Sequence, residues 1–217
     1  MTNLELRRNR ILRLTVSVAA SAILVAACGR DTSGASATLV GDQNYVSPDG
    51  SVTLQDPASR QLAPSITGTT LTGDPWSMQD HRGKIVVFNV WASWCAPCRA
   101  EAPILKKISD KYRASGVDFV GLNIRDSTVA AQAFEKTFGI TYPSLNDRDG
   151  GLVLRFAGSL NPSAIPSTLL VDRQGRIAAS ILGKVTEAML TGLIQALQQE
   201  GAPTAVDKSS SASPDDD

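Results

Sequence analysis

The sequence Trp94-Cys95-Ala96-Pro97-Cys98 joins a run of strand-forming residues, Ile85–Val90, to a helix-like run that ends near Ser115. Two cysteines separated by two residues have the spacing to close a small disulfide ring. The N-terminus of a helix supplies partial positive charge and free N–H groups, which stabilise a thiolate at the first cysteine. Because the thiolate is the attacking species, this stretch predicts dithiol–disulfide exchange initiated by Cys95.

Two other interpretations of the cysteine pair are weaker. A structural zinc site needs four ligands, and beyond the pair the chain offers only Cys28 and His81. A purely structural disulfide that closes so short a loop restricts the unfolded chain little. We therefore expect a redox pair without a metal or another cofactor.

The N-terminus has the features of an export signal. Four arginines between Arg7 and Arg13 precede an uncharged, mostly apolar stretch from Leu14 to Ala27. That stretch is shorter than the ~20 residues that a membrane-spanning helix needs, but it has the length of a signal-peptide core. We predict that residues 1–27 are a cleaved signal peptide; an uncleaved anchor is the alternative.

The signal segment ends in Leu24-Val25-Ala26-Ala27-Cys28, which resembles a bacterial lipobox. The resemblance implies that Cys28 carries a lipid and becomes the first residue of the mature protein. The alternative is an ordinary signal peptide that leaves Cys28 as a free thiol. Since three cysteines leave one unpaired after Cys95 and Cys98, lipidation explains the odd cysteine better than an exposed thiol in an exported protein.

The charge balance excludes one class of partner. The whole chain is formally neutral, and residues 1–27 hold four arginines and one glutamate, so the remainder is acidic by three charges. Nucleic-acid binding requires a concentrated basic surface, and we expect none. An exported protein also reaches a compartment where thiols can be oxidised, which agrees with the cysteine motif.

Composition divides the exported part of the chain into three regions. Residues 28–64 are predicted to be a mostly flexible, lipid-anchored tether, and residues 201–217 a disordered acidic and serine-rich tail. Residues 65–200 have the length of one domain. Their order, a hairpin, then β–α–β–α, a second hairpin and a final helix, predicts an α/β fold with a mixed sheet flanked by helices.

Two segments resemble a known family. The stretch Val87–Pro103 resembles the active-site signature of membrane-anchored, thioredoxin-like proteins of the TlpA/ResA type, and Ile165-Pro166-Ser167-Thr168 resembles their cis-proline loop. The resemblance covers about residues 65–200. It implies a thioredoxin fold with an N-terminal β-hairpin extension and thiol–disulfide oxidoreductase activity.

The resemblance also implies residue roles. Cys95 matches an exposed nucleophile and Cys98 a buried resolving cysteine, and the two form a reversible disulfide. Pro166 matches the cis-proline, and Ile165 before it would offer backbone groups to a client protein. The remaining expected contributors to the client-binding groove are Trp94 and Pro97.

Glu101 is a candidate catalytic acid–base. It follows Cys98 by three residues, so both lie on one face of a helix. A carboxylate in partly apolar surroundings can accept and return the proton of Cys98, and in the TlpA/ResA type a glutamate here is associated with activity. Asn89 stands where thioredoxin has a buried aspartate and cannot act as an acid. The alternative is a solvated Glu101 or one paired with Arg99 or Lys106.

The leading hypothesis is an extracytoplasmic, lipid-anchored reductant of disulfides in exported proteins. The family suggests apocytochrome c as a client and a membrane thiol-electron donor of the CcdA/DsbD type; we expect a monomer. Ala96-Pro97 lacks the histidine of strongly oxidising relatives, which favours a reductant. A disulfide-forming oxidase and a non-catalytic, lipid-tethered binding module remain alternatives, whereas the spacing around Cys95 disfavours a peroxidase.

Overall fold

The computed structural model describes residues 45–47 and 51–200 of the 217-residue chain. The expected signal segment 1–27, the lipidation site Cys28 and the tail 201–217 lie outside these residues. None of the helices in the described part of the chain has the length and apolarity to cross a bilayer.

A seven-stranded mixed sheet forms the centre of the fold, in the order β1-β2-β9-β8-β5-β6-β7. Strands β5, β6 and β7 run parallel, whereas every other neighbouring pair is antiparallel. The strands of this sheet are β1 (Tyr45–Val46), β2 (Val52–Leu54), β5 (Ile85–Trp91), β6 (Val117–Asn123), β7 (Ser144–Asn146), β8 (Ser167–Val171) and β9 (Ile177–Leu182). A separate hairpin pairs β3 (Thr67–Thr69) with β4 (Pro75–Ser77).

Strand β5 lies inside the sheet, between β8 and β6, and all seven of its residues are buried. Its side chains alternate between two apolar clusters. Ile85 and Val87 belong to the cluster with the long helices, and Val86 and Phe88 belong to the cluster with the β3–β4 side. Burial of both faces explains why the strand is a nearly continuous apolar run.

Within residues 51–200, four α-helices accompany the strands: α1 (Ala96–Tyr112), α2 (Thr128–Phe138), α3 (Gly151–Leu154) and α4 (Glu187–Glu200). Leu105 and Ile108 of α1 share one apolar cluster with Leu190 and Ile194 of α4. The predicted mixed sheet flanked by helices is confirmed, and so is the hairpin before β5. The short helix α3 was not predicted.

The predicted start of the domain at residue 65 is wrong. Strand β2 pairs with β9 in register from Val52↔Ile181 to Leu54↔Ala179, so it belongs to the main sheet. Arg60 then donates to Asp172 and Glu200. Part of the stretch 28–64, expected to be a mostly flexible tether, is therefore an ordered edge of the domain, because it caps the otherwise unpaired edge of β9.

Candidate active site

Cys95 occupies the N-cap of α1. Its backbone is extended, with φ −78° and ψ 109°, and its sulfur accepts a hydrogen bond from the Cys98 N–H at 3.2 Å. Pro97 lies in the first helical turn, where its fixed φ suits the helix and its missing N–H costs nothing. The sequence thus places Cys95 Sγ at the positive end of the helix, where a thiolate is stabilised.

The two cysteines form a disulfide with Cα atoms 5.3 Å apart. Cys95 is 4% exposed and Cys98 is 1% exposed. The expectation that Cys98 is buried is met, but the expectation of an exposed Cys95 is wrong for this oxidised form. The disulfide holds Cys95 within an apolar cluster that includes Leu71, Trp91 and Ala131.

Glu101 is fully buried one helical turn after Cys98. Its Oε1 accepts a hydrogen bond from Asn89 Nδ2 at 2.8 Å, and its Oε2 accepts one from the Val185 N–H at 3.0 Å. The alternative of a solvated or surface-paired glutamate is therefore wrong. Both donors are neutral, so no cation bonded to the carboxylate compensates its negative charge.

Burial raises the pKa of Glu101 from 4.5 to about 7. The hydrogen bonds from Val185 and Asn89 and the positive charge of Lys184 act in the opposite direction, but they only partly offset desolvation. A carboxyl group with a pKa near neutrality exchanges protons readily at physiological pH. This is the property that a general acid–base for a buried thiol requires.

Asn89 and Thr168 place Glu101 relative to the sheet. They oppose each other on β5 and β8, and Asn89 Nδ2 also donates to Thr168 Oγ1 at 3.3 Å. Sequence reasoning recognised that Asn89 is not an acid but missed its role as a donor to Glu101. It also missed Val185, which no local pattern marks because its contribution is a backbone N–H in the loop before α4.

A small cavity of about 10 Å³ lies beside Cys98. Asn89 and the Ser144 side chain contribute polar groups to its lining, and Ser144 Oγ is buried without a hydrogen-bond partner among the described residues. This volume corresponds to about one water molecule, which needs at least two polar partners. Cys98 therefore lies beside a small cavity whose mostly apolar lining includes the polar side chains of Asn89 and Ser144.

Three of the four expected client-binding residues lie beside the cysteines, Trp94 and Pro97 as chain neighbours and Ile165 by packing, whereas Pro166, which follows Ile165 in the chain, is buried. Trp94 is 57% exposed, and Pro97 is also exposed. Ile165 is half-buried and packs against the cluster that contains both cysteines. The Ile165–Pro166 peptide bond is cis, and the Pro166 carbonyl accepts a hydrogen bond from the Gly183 N–H at 2.9 Å.

The loop from β6 to α2 fixes the residues before Cys95. The Asp126 carboxylate accepts hydrogen bonds from the Ser93 N–H at 2.6 Å and from Ser93 Oγ at 2.9 Å. The Arg125 carbonyl accepts one from Trp94 Nε1 at 2.9 Å. The sequence gives no local signal for these contacts, because about 30 residues separate this loop from Ser93 and Trp94.

His81 lies away from the cysteines. Its Nδ1 is 2.6 Å from Asp118 Oδ2, and its ring stacks on Trp76 with centroids 4.8 Å apart. Across residues 51–200, no group of three or more His, Cys, Asp or Glu side chains is arranged to hold a metal ion.

A reversible dithiol at a helix N-terminus, a cis-proline loop and a mixed sheet together define a thiol–disulfide oxidoreductase with the thioredoxin fold. Comparison with known proteins agrees. The model of the Redoxin family matches residues 58–197, and the chain belongs to that family.

Named relatives share the activity. The chain is 29% identical over 133 residues to a thiol-disulfide oxidoreductase ResA of Bacillus cereus, an alignment that covers 61% of this chain and 75% of the relative. ResA of Bacillus subtilis (strain 168) is 28% identical over 128 residues, covering 59% and 69%. The resemblance to proteins of the ResA type is thus confirmed.

Solved structures are also similar. A secreted thiol-disulfide isomerase from Corynebacterium glutamicum is 34% identical with a TM-score of 0.67, covering 74% of this chain and 99% of its own. A DsbF homologue from Corynebacterium diphtheriae is 37% identical with a TM-score of 0.65, covering 72% and 99%. The fold and the oxidoreductase activity predicted from the sequence are confirmed.

Proposed function

We propose that this oxidoreductase works outside the cytoplasm, on a lipid anchor at Cys28, as a reductant of disulfides in exported proteins. The export signal and the lipobox support the location. The similarity to a secreted thiol-disulfide isomerase supports it as well. The candidate catalytic residues are Cys95, Cys98 and Glu101.

The first step is attack on the client. The Cys95 thiolate, stabilised at the N-terminus of α1, attacks one sulfur of a client disulfide. A mixed disulfide forms between Cys95 and that sulfur, and the other client sulfur leaves as a thiolate that takes a proton from solvent. Trp94, Pro97, Ile165 and Pro166 border the groove in which the client chain would lie.

The second step resolves the mixed disulfide. The Cys98 thiol gives its proton to Glu101, and the resulting thiolate attacks Cys95 Sγ. The Cys95–Cys98 disulfide forms and the second client thiolate leaves. Two electrons pass from the protein to the client, which becomes a dithiol after protonation.

The observation that carries this proposal is the buried, cation-free Glu101, with a pKa of about 7, one turn from Cys98. Cys98 is almost inaccessible to solvent in the disulfide form, which favours a base for its proton from within the protein. A surface carboxylate of ordinary pKa would be a much weaker base near neutrality.

The reducing direction rests on the residues between the cysteines. Ala96 and Pro97 bring no charge or side-chain donor to Cys95, so the two residues between the cysteines add nothing to the stabilisation that its thiolate receives from the helix N-terminus. A thiolate that receives less stabilisation leaves the dithiol form a better reductant. A membrane thiol-electron donor of the CcdA/DsbD type would then regenerate the dithiol, and apocytochrome c is the client suggested by the family.

The reduction potential of the Cys95–Cys98 pair tests the direction. We expect a value near that of thioredoxin, about −270 mV; a value near that of DsbA, about −120 mV, would instead identify a disulfide-forming oxidase. The chemistry is tested by trapping. Cys98→Ala should accumulate disulfide-linked clients that Cys95→Ser does not, and equal recovery from both variants would contradict the cycle.

The anchor needs its own experiment. Cells that express the full chain should incorporate radiolabelled fatty acid into the protein and retain it in the membrane fraction. Cys28→Ser should abolish the label, while Cys95→Ser serves as the control and keeps it. Labelling that persists in Cys28→Ser would refute lipidation at that residue.

A further inference from the structure

Three cations near the active site have no ion-pair partner within the described part of the chain. Arg99 and Arg125 are exposed, and so is Lys184, in the loop that follows β9. Among the described residues, none of the three forms a salt bridge, in contrast to Lys84, Lys106, Lys107 and Arg113 elsewhere on the surface. Unpaired charge at the mouth of a binding site is available to a ligand.

Arg99 is positioned on one side of the residues that precede Cys95. Its Nη1 approaches the Ser93 carbonyl at 3.4 Å, and its guanidinium lies 5.4 Å from the centroid of the Phe138 ring. Its backbone N–H also donates to the Cys95 carbonyl at 3.1 Å. The guanidinium is thus placed beside the reactive loop, although the side chain itself remains exposed.

Arg125 is positioned against Trp94. Its guanidinium is 5.9 Å from the centroid of the exposed Trp94 ring, and its Nη2 donates to the Pro162 carbonyl at 2.7 Å. Pro162 belongs to the segment that leads to Ile165 and the cis-proline. The Arg125 side chain therefore spans the two borders of the groove, the tryptophan and the cis-proline loop.

Lys184 lies in the loop that is bonded to the cis-proline segment. The preceding residue, Gly183, donates its N–H to the Pro166 carbonyl at 2.9 Å, so Lys184 follows directly from that loop. Its charge also reaches the buried Glu101, whose pKa it lowers.

Among the described residues, none of the neighbouring acids forms an ion pair with these three cations. The Asp126 carboxylate accepts hydrogen bonds from Ser93, Asn123 and the Ser127 N–H, which occupy both of its oxygens. Asp147 is buried and accepts from the N–H groups of Leu152 and Val153. The exposed Asp149 has Arg148 as its chain neighbour.

We propose that this basic rim selects client segments that carry a carboxylate beside the target cysteine. The proposal rests on the function proposed above and adds a substrate preference to it. Guanidinium groups pair with carboxylates through parallel hydrogen bonds, and exposed charges around a groove raise the rate of encounter with an oppositely charged partner. The chain as a whole is formally neutral, so the preference is a property of this rim.

The test uses three synthetic peptides with one intramolecular disulfide each. They differ at a single position next to one cysteine, which is Asp, Asn or Lys. The full chain, reduced and freed of reductant, donates two electrons to the peptide disulfide, and chromatography follows formation of the peptide dithiol. At low salt we expect the Asp peptide to react about tenfold faster than the Lys peptide, with the ratio approaching one near ~0.5 M salt.

Variants test whether the preference for the Asp peptide depends on Arg99 and Arg125. In the double variant Arg99→Gln, Arg125→Gln, the Asp-to-Lys rate ratio should fall to about two or less. The ratio is the readout because a change in Cys95 reactivity affects all three peptides alike. Arg82→Gln is the matched control, since Arg82 is exposed, unpaired among the described residues and lies before the opposite end of β5; it should keep the full ratio.

The possible results distinguish a failure of the carboxylate preference from a failure of the proposed disulfide reduction. Equal rates for the three peptides at low salt, or a ratio that survives in the double variant, overturn the preference while the proposed reduction stands. Failure to reduce even the Asn peptide overturns the proposed function and the preference with it. If the double variant unfolds, loss of the wild-type ratio with added salt still supports the preference, and a salt-independent ratio refutes it.

Discussion

Two buried carboxylates of the same domain have opposite kinds of hydrogen-bond partner, charged in one case and neutral in the other. Glu101 is 0% exposed, next to the cysteines, and Asp172 is 3% exposed, at the far end of β8. Asp172 is bonded to two guanidinium groups, with Arg60 Nη1 at 3.2 Å and Arg176 Nη2 at 2.9 Å. Glu101 receives hydrogen bonds only from the neutral groups of Asn89 and Val185.

The difference in bonded partners distinguishes a buried acid that stabilises the fold from one that can exchange protons. Removing a carboxylate from water favours its protonated form unless an opposite charge compensates. Asp172 pairs with two arginines, and these ion pairs tie the turn before β9 to the segment around Arg60. At Glu101 no cation is bonded, and the hydrogen bonds and the charge of Lys184 offset burial only in part, so the pKa rises to about 7 and the group can exchange protons.

Asp172→Ala should have the largest effect on stability. It leaves Arg60, whose side chain is 5% exposed, with fewer partners, and it removes the acceptor of the Gln174 and Arg176 N–H groups. We expect a loss of about 3–4 kcal/mol in the free energy of unfolding, measured by urea denaturation of the oxidised protein.

Asp118→Asn provides the control for that loss. Asp118 also pairs with two basic side chains, His81 and Lys84, but the pair with Lys84 is much more open to solvent. We expect a loss of about 1 kcal/mol or less. Equal losses in the free energy of unfolding of the two variants would mean that burial does not strengthen the ion pairs of Asp172.

Glu101→Gln should change how stability depends on pH. The folded-state pKa of about 7 lies above the ordinary value of 4.5, so the folded protein holds the proton more tightly than the unfolded chain does. Below about pH 4.5 the group is protonated in both states and has no effect. Between pH 4.5 and 7 the wild type should lose stability as the pH rises, by about 3 kcal/mol in total.

The glutamine variant removes this titration while keeping an acceptor for the Val185 N–H. Its free energy of unfolding should therefore decline less between pH 5 and pH 8 than that of the wild type, by about the same 3 kcal/mol. Parallel pH profiles for the two proteins, measured with the disulfide intact, would show that Glu101 is not an uncompensated acid.

Glu101→Gln should also slow the resolving step. Without a base beside Cys98, we expect the rate of client disulfide reduction at pH 7 to fall about 100-fold, and the inflection near pH 7 to disappear from the pH–rate profile. Glu135→Gln is the matched control. Glu135 is a partly buried acid on α2 whose pKa is also raised by burial, and its variant should react within about twofold of the wild type.

Asn89→Ala should have the smallest of these effects. It removes a hydrogen bond to the ionised form of Glu101, so the pKa of Glu101 should rise further and the inflection of the pH–rate profile should move to higher pH. We expect about 1 kcal/mol more destabilisation at pH 8 than at pH 5. An inflection that moves to lower pH would contradict this assignment of the hydrogen bond.

The sequence allowed most of the domain to be predicted because its signals are local. The apolar run Ile85–Val90 marks a strand covered on both faces, and the cysteines mark the helix that follows. Strand β2 was missed as a member of the main sheet, since a three-residue strand has little pattern and its partner β9 lies about 125 residues later.

The site was predictable to the extent that it lies on one helix. Glu101 could be paired with Cys98 by helical periodicity alone. The burial of Cys95 in the disulfide form, the N–H group of Val185 and the contacts of Arg125 depend on loops brought together by the fold. No sequence spacing records such contacts, because they join segments 30 to 90 residues apart.

Strand β9 links the N-terminal edge of the sheet to the surroundings of Glu101. On one side it is paired with β2, and at its C-terminal end it leads through Gly183 to Val185, which holds Glu101. Strand β1 pairs with β2 and β2 pairs with β9, so the N-terminal edge of the sheet is held by hydrogen bonds to β9. The C-terminal end of the same strand leads to the N–H group that is bonded to the candidate catalytic residue Glu101, so the N-terminal edge and the Glu101 carboxylate depend on one strand.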